Sequence, residues 1–395
     1  MKKLAIDGGT PVRSKMINYG RQSVDEADIQ AVVRVLRGDW LTTGPMVGAF
    51  EKAVAEYVGV KEAVAVNSGT AALHAAAFAA GIGPGDEVIV PPITFVASAN
   101  CILYMGGKPV FADVVAGTLN LDPVDVERKI TAHTKAIIAV DYAGQPCEHT
   151  SLRAIADRYK LTVIEDASHA LGATYKNRNI GTLHELTTLS FHPVKHITTA
   201  EGGMVLTDDP SLASKMRSFR THGVDLDFRQ RAEANLWLYD VVALGYNYRL
   251  PDTSCALGLS QLAKLNGWIK RRREIAACYT DSFRSLGGLE IPVIIPDCEP
   301  AWHLFVIRLN LDRLSVGRVE IFKALRAENI GVNVHYIPIP WLSNYQKMGY
   351  PKGQWPVAES EYERIISLPI FPAMNDGDVA DVITAVKEVV GHYSK

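Results

Sequence analysis

Between about residues 60 and 210, short apolar runs alternate with helix-forming stretches, and this rhythm narrows the available folds more than any other feature. Val64-Ala65-Val66 precedes the alanine-rich segment 71–80. Glu87-Val88-Ile89-Val90 precedes 96–105, and Pro109-Val110-Phe111 leads to a helical pattern over 122–129. Ala136-Ile137-Ile138-Ala139-Val140 precedes 151–159, and Leu161-Thr162-Val163-Ile164 follows. The runs are continuously apolar, as strands covered on both faces must be. Alternating strands and helices imply right-handed crossovers and a mainly parallel sheet between two helical layers, an α/β fold.

After Arg249 the rhythm changes. Residues 254–286 read as one long helix, straight or bent, with Ala256, Leu259, Leu262 and Leu265 on one face. Pro292, Pro296 and Pro300 interrupt the chain. A smaller α+β unit follows: Phe305-Val306-Ile307, a helix over 319–327, the segment Val332-Asn333-Val334-His335 and a last helix over 379–390. With 395 residues the chain is long enough for about two domains.

Composition excludes several classes of function. The 41 Lys+Arg against 43 Asp+Glu leave a formal charge of −2, without the basic excess of a nucleic-acid protein. No run approaches the roughly 18 apolar residues of a membrane span. The start, Met1-Lys2-Lys3-Leu4-Ala5-Ile6-Asp7, meets an acid before any signal-like apolar core forms. Five scattered cysteines without CxxC indicate neither a disulfide framework nor zinc. The expectation is a reduced, soluble, cytoplasmic protein with no nucleic-acid or membrane partner. The run Lys270-Arg271-Arg272-Arg273 reads as a solvated helix face. Gly81-Ile82-Gly83-Pro84-Gly85 holds a proline and precedes a strand, so it reads as a turn and not a dinucleotide loop. His192 and His196 are four apart, but Pro193 lies between them, and no metal site is expected.

Chemistry concentrates around Thr188-Leu189-Ser190-Phe191-His192-Pro193-Val194-Lys195-His196-Ile197-Thr198-Thr199-Ala200-Glu201-Gly202-Gly203. Lysine among apolar and small residues is rare without a partner. Upstream, Glu165-Asp166 ends a strand, where open α/β sheets place functional groups. Asp166 alone reads equally as a helix cap. Asn67-Ser68-Gly69-Thr70 lies between a strand and a helix, either as a phosphate cradle or as simple capping by Ser68. Phe95 follows another strand end and serves either the core or a stacked planar ring. Gly245-Tyr246-Asn247-Tyr248-Arg249 is a polar loop before the second half. Taken together, a lysine for a Schiff base, a carboxylate for a pyridinium nitrogen and an amide cluster for phosphate describe a pyridoxal phosphate site.

These motifs resemble the DegT/DnrJ/EryC1/StrS family of sugar aminotransferases, from about Tyr19 to at least residue 340. The resemblance implies the aspartate-aminotransferase fold (fold type I): a large domain with a mainly parallel, seven-stranded-type sheet and a smaller C-terminal α+β domain. The expected division is an N-terminal arm over 1–30, a large pyridoxal phosphate domain over 31–260 and a small domain over 261–395. Tyr19-Gly20-Arg21-Gln22, Asp39-Trp40-Leu41-Thr42-Thr43-Gly44, Asp141-Tyr142-Ala143-Gly144, Ser168-His169-Ala170-Leu171-Gly172, Thr198-Thr199-Ala200-Glu201-Gly202-Gly203 and Val334-His335-Tyr336 resemble the 4-aminotransferases of pseudaminic acid biosynthesis. The resemblance implies Lys195 as the Schiff-base lysine and proton carrier, Asp166 on the ring nitrogen, and His169 near the 3′-oxygen, where many relatives have glutamine. It implies Phe95 stacked on the ring, Gly69, Thr70 and Ser190 on the phosphate, and Asn247 on the phosphate of a partner subunit in a homodimer. Tyr19, Asp39, Trp40, Leu41, Thr42, His335, Tyr336, Ile337 and Pro338 match segments that line the nucleotide-sugar pocket. The implied reaction moves an amino group from L-glutamate to C4 of a UDP-linked 4-keto-6-deoxy-N-acetylhexosamine. A UDP-bacillosamine-type or GDP-perosamine-type 4-aminotransferase shares the same lysine constellation, and a non-catalytic regulator using this fold is a further alternative. A 3-dehydratase of the family has histidine in place of Lys195.

Overall fold

The computed structural model describes residues 3–226 and 228–395. The strands are β1 Glu62–Val66, β2 Glu87–Val90, β3 Lys108–Phe111, β4 Thr134–Val140, β5 Thr162–Asp166, β6 Thr174–Tyr175, β7 Arg178–Asn179, β8 Leu186–Ser190, β9 Gly203–Thr207, β10 Leu289–Glu290, β11 Cys298–Glu299, β12 Phe305–Leu309 and β13 Ile365–Leu368. Seven form the main sheet in the order β1-β9-β8-β5-β4-β2-β3. Only β9 runs against its neighbours there, pairing antiparallel with β1 and β8. The mainly parallel sheet expected from the apolar runs is present.

Both faces of this sheet are covered, and alternate residues divide between two cores. On β1, Val64 and Val66 enter one cluster while Ala63 and Ala65 enter another. On β4, Ala136, Ile138 and Val140 face one layer, Ile137 and Ala139 the other. Helix α1 (Glu26–Leu36) and helix α2 (Pro45–Val58) precede the sheet, and α3 (Gly69–Ala79) and α4 (Ala97–Tyr104) follow β1 and β2. The alanines of α3 are buried almost throughout, which lets this helix lie close on β8 and β9.

Helices α5 (Pro123–Lys129), α6 (His149–Tyr159) and α7 (Pro210–Phe219) complete the large layers, and a short α8 (Phe228–Glu233) follows. The expected single helix over 254–286 is two: α9 (Asp252–Leu262) and α10 (Leu265–Phe283). The break at Ala263–Lys264 has a use. Lys264 turns its amine onto Asp25 and Asp28, at 2.6 and 2.8 Å. Leu265 and Ile269 then pack on the large core, and Ile275, Ala276, Tyr279 and Phe283 on the small one. The small unit is the sheet β10-β12-β13 with α11 (Arg318–Ala327) and a helix over Asp376–His392. Leu4 and Ile17 join its core, and Glu328 accepts the Ala5 and Val12 amides.

The basic run on α10 departs from the solvated face expected. Arg272 is 1% exposed and donates to the carbonyls of Trp302 and Ile370 at 3.0 and 2.9 Å. Arg271 and Arg273 pair with Asp376 and Glu299. Carbonyls from two backbone segments surround this buried guanidinium, and burial pulls its pKa down to about 9.

Candidate active site

Lys195 owes its position to the connection between β8 and β9. Phe191 donates to Gly202 O and Thr199 to Phe191 O, closing the base of the 191–202 loop. Buried Phe191 and Ile197 anchor its sides, and the Lys195 amide donates to His192 O at the tip. Ala200 takes φ +67°, in the left-handed region that favours glycine. The Lys195 side chain enters a cavity of about 480 Å³ at the carboxyl ends of the parallel strands. Desolvation there lowers its pKa to about 8, against the opposing pull of Asp166.

Asp166 emerges from the end of β5, 4% exposed, and lines the same cavity. It caps no helix. Its Oδ1 accepts from Ser168 Oγ at 2.6 Å and from the Ser168 amide at 3.2 Å; its Oδ2 accepts from Ser98 Oγ at 2.7 Å. Three donors from the chain itself thus surround the carboxylate.

The N-terminus of α3 supplies the third element. Ser68 Oγ accepts the Ala71 amide, so capping is real, and Gly69 and Thr70 are left at the open first turn beside Ser190. A Cβ on Gly69 would lie 2.9 Å from Ser190 Cβ and 3.0 Å from its Oγ. A Cβ on Gly203, paired with Ser190, would meet Ser68 O at 2.3 Å. The two glycines allow the helix start and the strand end to form one cradle with unpaired N–H groups and a hydroxyl, a site for a dianionic phosphate.

The remaining wall is aromatic and imidazole. Phe95 lines the cavity with its ring 56% exposed, and its centroid is 6.1 Å from that of Tyr336. Tyr336 Oη lies 3.2 Å from His169 Nε2, and the His169 ring is 4.3 Å from that of His303. Burial, reinforced by the Lys195 charge, holds His169 and His303 well below the usual imidazole pKa, so both are neutral.

Of the residues expected from the sequence, Lys195, Asp166, His169, Gly69, Thr70, Phe95, Ser190, Tyr19, His335 and Tyr336 line this one cavity. Others lie elsewhere in the same chain. Thr42 lines a separate hollow of about 610 Å³ with Arg249, and Asp39 and Trp40 line a third. Trp40 and Leu41 are half-exposed, Ile337 points outward, and Pro338 is buried at the start of a 3-10 turn. The Asn247 side chain is exposed, with its carbonyl held by Asn67 Nδ2 at 3.3 Å. Sequence reasoning missed Ser98, Thr94 and Ser168. The i, i+4 spacing of Thr94 and Ser98 after a strand end was the available signal.

Beneath Asp166, on the opposite face of β5, lies a polar cluster in which His149, Asp141 and Glu165 are buried and His184 is partly exposed. His149 Nε2 lies 2.9 Å from Asp141 Oδ1 and 3.1 Å from Glu165 Oε1, and its Nδ1 lies 2.9 Å from His184 Nε2. The two carboxylates raise the His149 pKa despite burial, and burial raises that of Glu165 to about 7. His149, Glu165 and His184 come within 4.8 Å of one another, but both nitrogens of His149 already face neighbours.

Residues 22–387 match the DegT/DnrJ/EryC1/StrS aminotransferase family. The spore coat polysaccharide biosynthesis protein SpsC of Bacillus subtilis is 44% identical over 381 residues, 96% of this chain and 98% of SpsC. Helicobacter pylori PseC, an aminotransferase involved in pseudaminic acid biosynthesis, superposes with a TM-score of 0.89 at 34% identity, covering 96% of this chain and all of that one. The pyridoxal phosphate form of a putative sugar aminotransferase from Streptococcus pneumoniae gives a TM-score of 0.89 at 30% identity, covering 95% and 99%. The cradle at Gly69 and Ser190, the acceptor left at Asp166 and the amine of Lys195 fit that cofactor by their chemistry. With the match extending over nearly its whole length, the chain belongs to the DegT/DnrJ/EryC1/StrS aminotransferase family and is a pyridoxal phosphate-dependent sugar aminotransferase.

Proposed function

We propose that the protein transfers the amino group of L-glutamate to C4 of UDP-2-acetamido-2,6-dideoxy-β-L-arabino-hex-4-ulose, the step that commits this sugar to pseudaminic acid. The observation that carries the reading is the convergence of Tyr19, His335 and Tyr336 on the cavity of Lys195, in a chain similar to PseC over 96% of its length. The bound cofactor carries the amino group between donor and acceptor. Lys195 would hold it covalently, and its amine would carry the proton at C4 of the sugar. Asp166 would pair with the ring nitrogen, Phe95 would cover the ring, and Gly69, Thr70 and Ser190 would hold the phosphate. The neutral pair His169–Tyr336 would meet the 3′-oxygen side without adding charge.

The active unit in this reading is a cytoplasmic homodimer with shared sites. The segment 236–244 supports it, because Trp237, Leu238 and Leu244 are 84%, 63% and 80% exposed, an apolar surface that a second copy would cover. Asn247, Trp40 and Leu41 would then face the partner's cavity.

SpsC favours a second reading, in which the acceptor is another nucleotide-linked 4-keto sugar of a surface polysaccharide. The test is a panel of UDP- and GDP-4-keto-6-deoxy sugars with L-glutamate, products being identified by mass and by the configuration at C4. Preference for the UDP-N-acetyl β-L-arabino sugar supports the first reading. Preference for a GDP sugar, or for the D-xylo epimer, rejects it.

A further inference from the structure

We propose that Ser98 is a positioning residue for the transfer reaction: its hydroxyl holds Asp166 Oδ2 as an ionised acceptor and thereby keeps the shared proton on the cofactor's ring nitrogen. The inference rests on the reading of Asp166 as the partner of that nitrogen.

The argument is an accounting of lone pairs. A carboxylate offers about four acceptor positions, two on each oxygen. Oδ1 of Asp166 is filled by the hydroxyl and the amide of Ser168. Oδ2 receives Ser98 alone, so the free acceptor position toward the cavity lies on the oxygen that Ser98 holds. Ser98 has one hydroxyl hydrogen, and Oδ2 takes it. The 2.9 Å contact between Thr94 Oγ1 and Ser98 Oγ therefore runs from Thr94 to Ser98. The chain Thr94 to Ser98 to Asp166 is directional. It is 3%, 0% and 4% exposed, at the wall of the Lys195 cavity. In such surroundings each donor polarises the next and strengthens the last bond.

The consequence is chemical. A proton between a ring nitrogen and a carboxylate sits on the weaker acid. Donors to the carboxylate lower its basicity and leave the proton on nitrogen. Removing the Ser98 hydroxyl makes Oδ2 more basic and draws the proton off the ring, which then withdraws electrons less well from the reacting carbon. The other titratable groups facing Asp166 are Lys195 from the loop after β8, Tyr336 from the segment before the 3-10 turn, and Cys101 on α4. Burial raises the pKa of both the phenol and the thiol, so neither supplies charge near neutrality. Ser98 and Phe95 stand at the start of one helix, so the same turn both covers the ring and sets its charge.

The experiment uses the holoenzyme and four variants: Ser98→Ala, Ser98→Thr, Asp166→Asn, and Ser98→Ala combined with Asp166→Asn. Ser98→Ala should lower kcat at least about tenfold, the effect of one lost hydrogen bond to a charged group, with little change in the KM for glutamate. It should also raise the pH midpoint of the visible absorbance of the lysine-bound cofactor, since a less positive ring favours the protonated linkage. Ser98→Thr should restore both, and thermal melts should show all four folded. In the Asp166→Asn background, Ser98→Ala should change neither quantity further. Unchanged kcat and midpoint in Ser98→Ala, failure of threonine to rescue, or an equal effect without the aspartate would overturn the proposal. Normal turnover and spectrum in Asp166→Asn itself would instead remove the aspartate from the ring nitrogen, a failure of the underlying reading that the Ser98 variants alone cannot produce.

Discussion

A single methyl group at residue 69 should weaken the cofactor while leaving the fold intact. In Gly69→Ala the new carbon would lie 2.9 Å from Ser190 Cβ and 3.0 Å from Ser190 Oγ, where ordinary contact begins near 3.4 Å. The shift of about half an ångström this requires falls on the two groups proposed to hold the phosphate. Overpacking of this kind costs about 1–3 kcal/mol. If the bound state bears it, the dissociation constant rises roughly 5- to 150-fold, at 1.4 kcal/mol per factor of ten. Alanine is a better helix former than glycine, so the apoprotein keeps α3 and loses little melting temperature. The assay is equilibrium release of pyridoxal phosphate, followed by fluorescence, with melting of the apoprotein measured in parallel. Gly267→Ala on α10, where a Cβ meets nothing within 4 Å, is the control and should bind the cofactor normally. An unchanged dissociation constant in Gly69→Ala would refute the placement of the phosphate between α3 and β8.

Three further outcomes follow from the same geometry. With the Lys195 pKa at about 8, capture of pyridoxal phosphate by the apoenzyme should quicken about tenfold per pH unit up to that value and level off above it; a rate still rising at pH 10 would contradict the desolvated amine. His74, His169, His184, His196, His303 and His335 are all held neutral by burial, so below pH 6.5 the unfolded chain binds more protons than the folded one. His149 and Glu165 are shifted upward and offset part of this, yet stability should fall from pH 6.5 toward 4 by about 1.4 kcal/mol per pH unit for each net proton; a melting temperature flat across that window would count against it. Mixing Lys195→Ala with Asn247→Ala subunits should recover activity that neither variant has alone; no recovery would mean that each chain builds its own site.

Much of the large domain could be read from residues 60–210, because a strand buried on both faces carries its signal in a few consecutive apolar residues. The lysine loop was equally local: Ser190, Lys195 and Gly203 lie in one hairpin connection, so their spacing already describes the cradle and the amine. What escaped was set by distant partners. Arg272 looks like one of four surface cations, and only the carbonyls of Trp302 and Ile370, 30 and 98 positions away, make it a buried one. At the helix break, Lys264 meets Asp25 and Asp28, more than 230 positions upstream. His149 meets Asp141, Glu165 and His184 across four separate segments. Ser98 lies three residues after Phe95, which the sequence already singled out, and its role required knowing where β5 ends. Asp39 to Thr42 carry a family pattern, yet within this chain they do not line the Lys195 cavity.

The central claim concerns one side chain, and it can be tested chemically. Borohydride treatment of the yellow holoenzyme should fix the cofactor irreversibly to its lysine, and digestion followed by mass spectrometry should find the pyridoxyl group on the peptide containing Lys195. Modification of a different lysine, or a protein that yields no pyridoxyl peptide after reconstitution, would contradict the account.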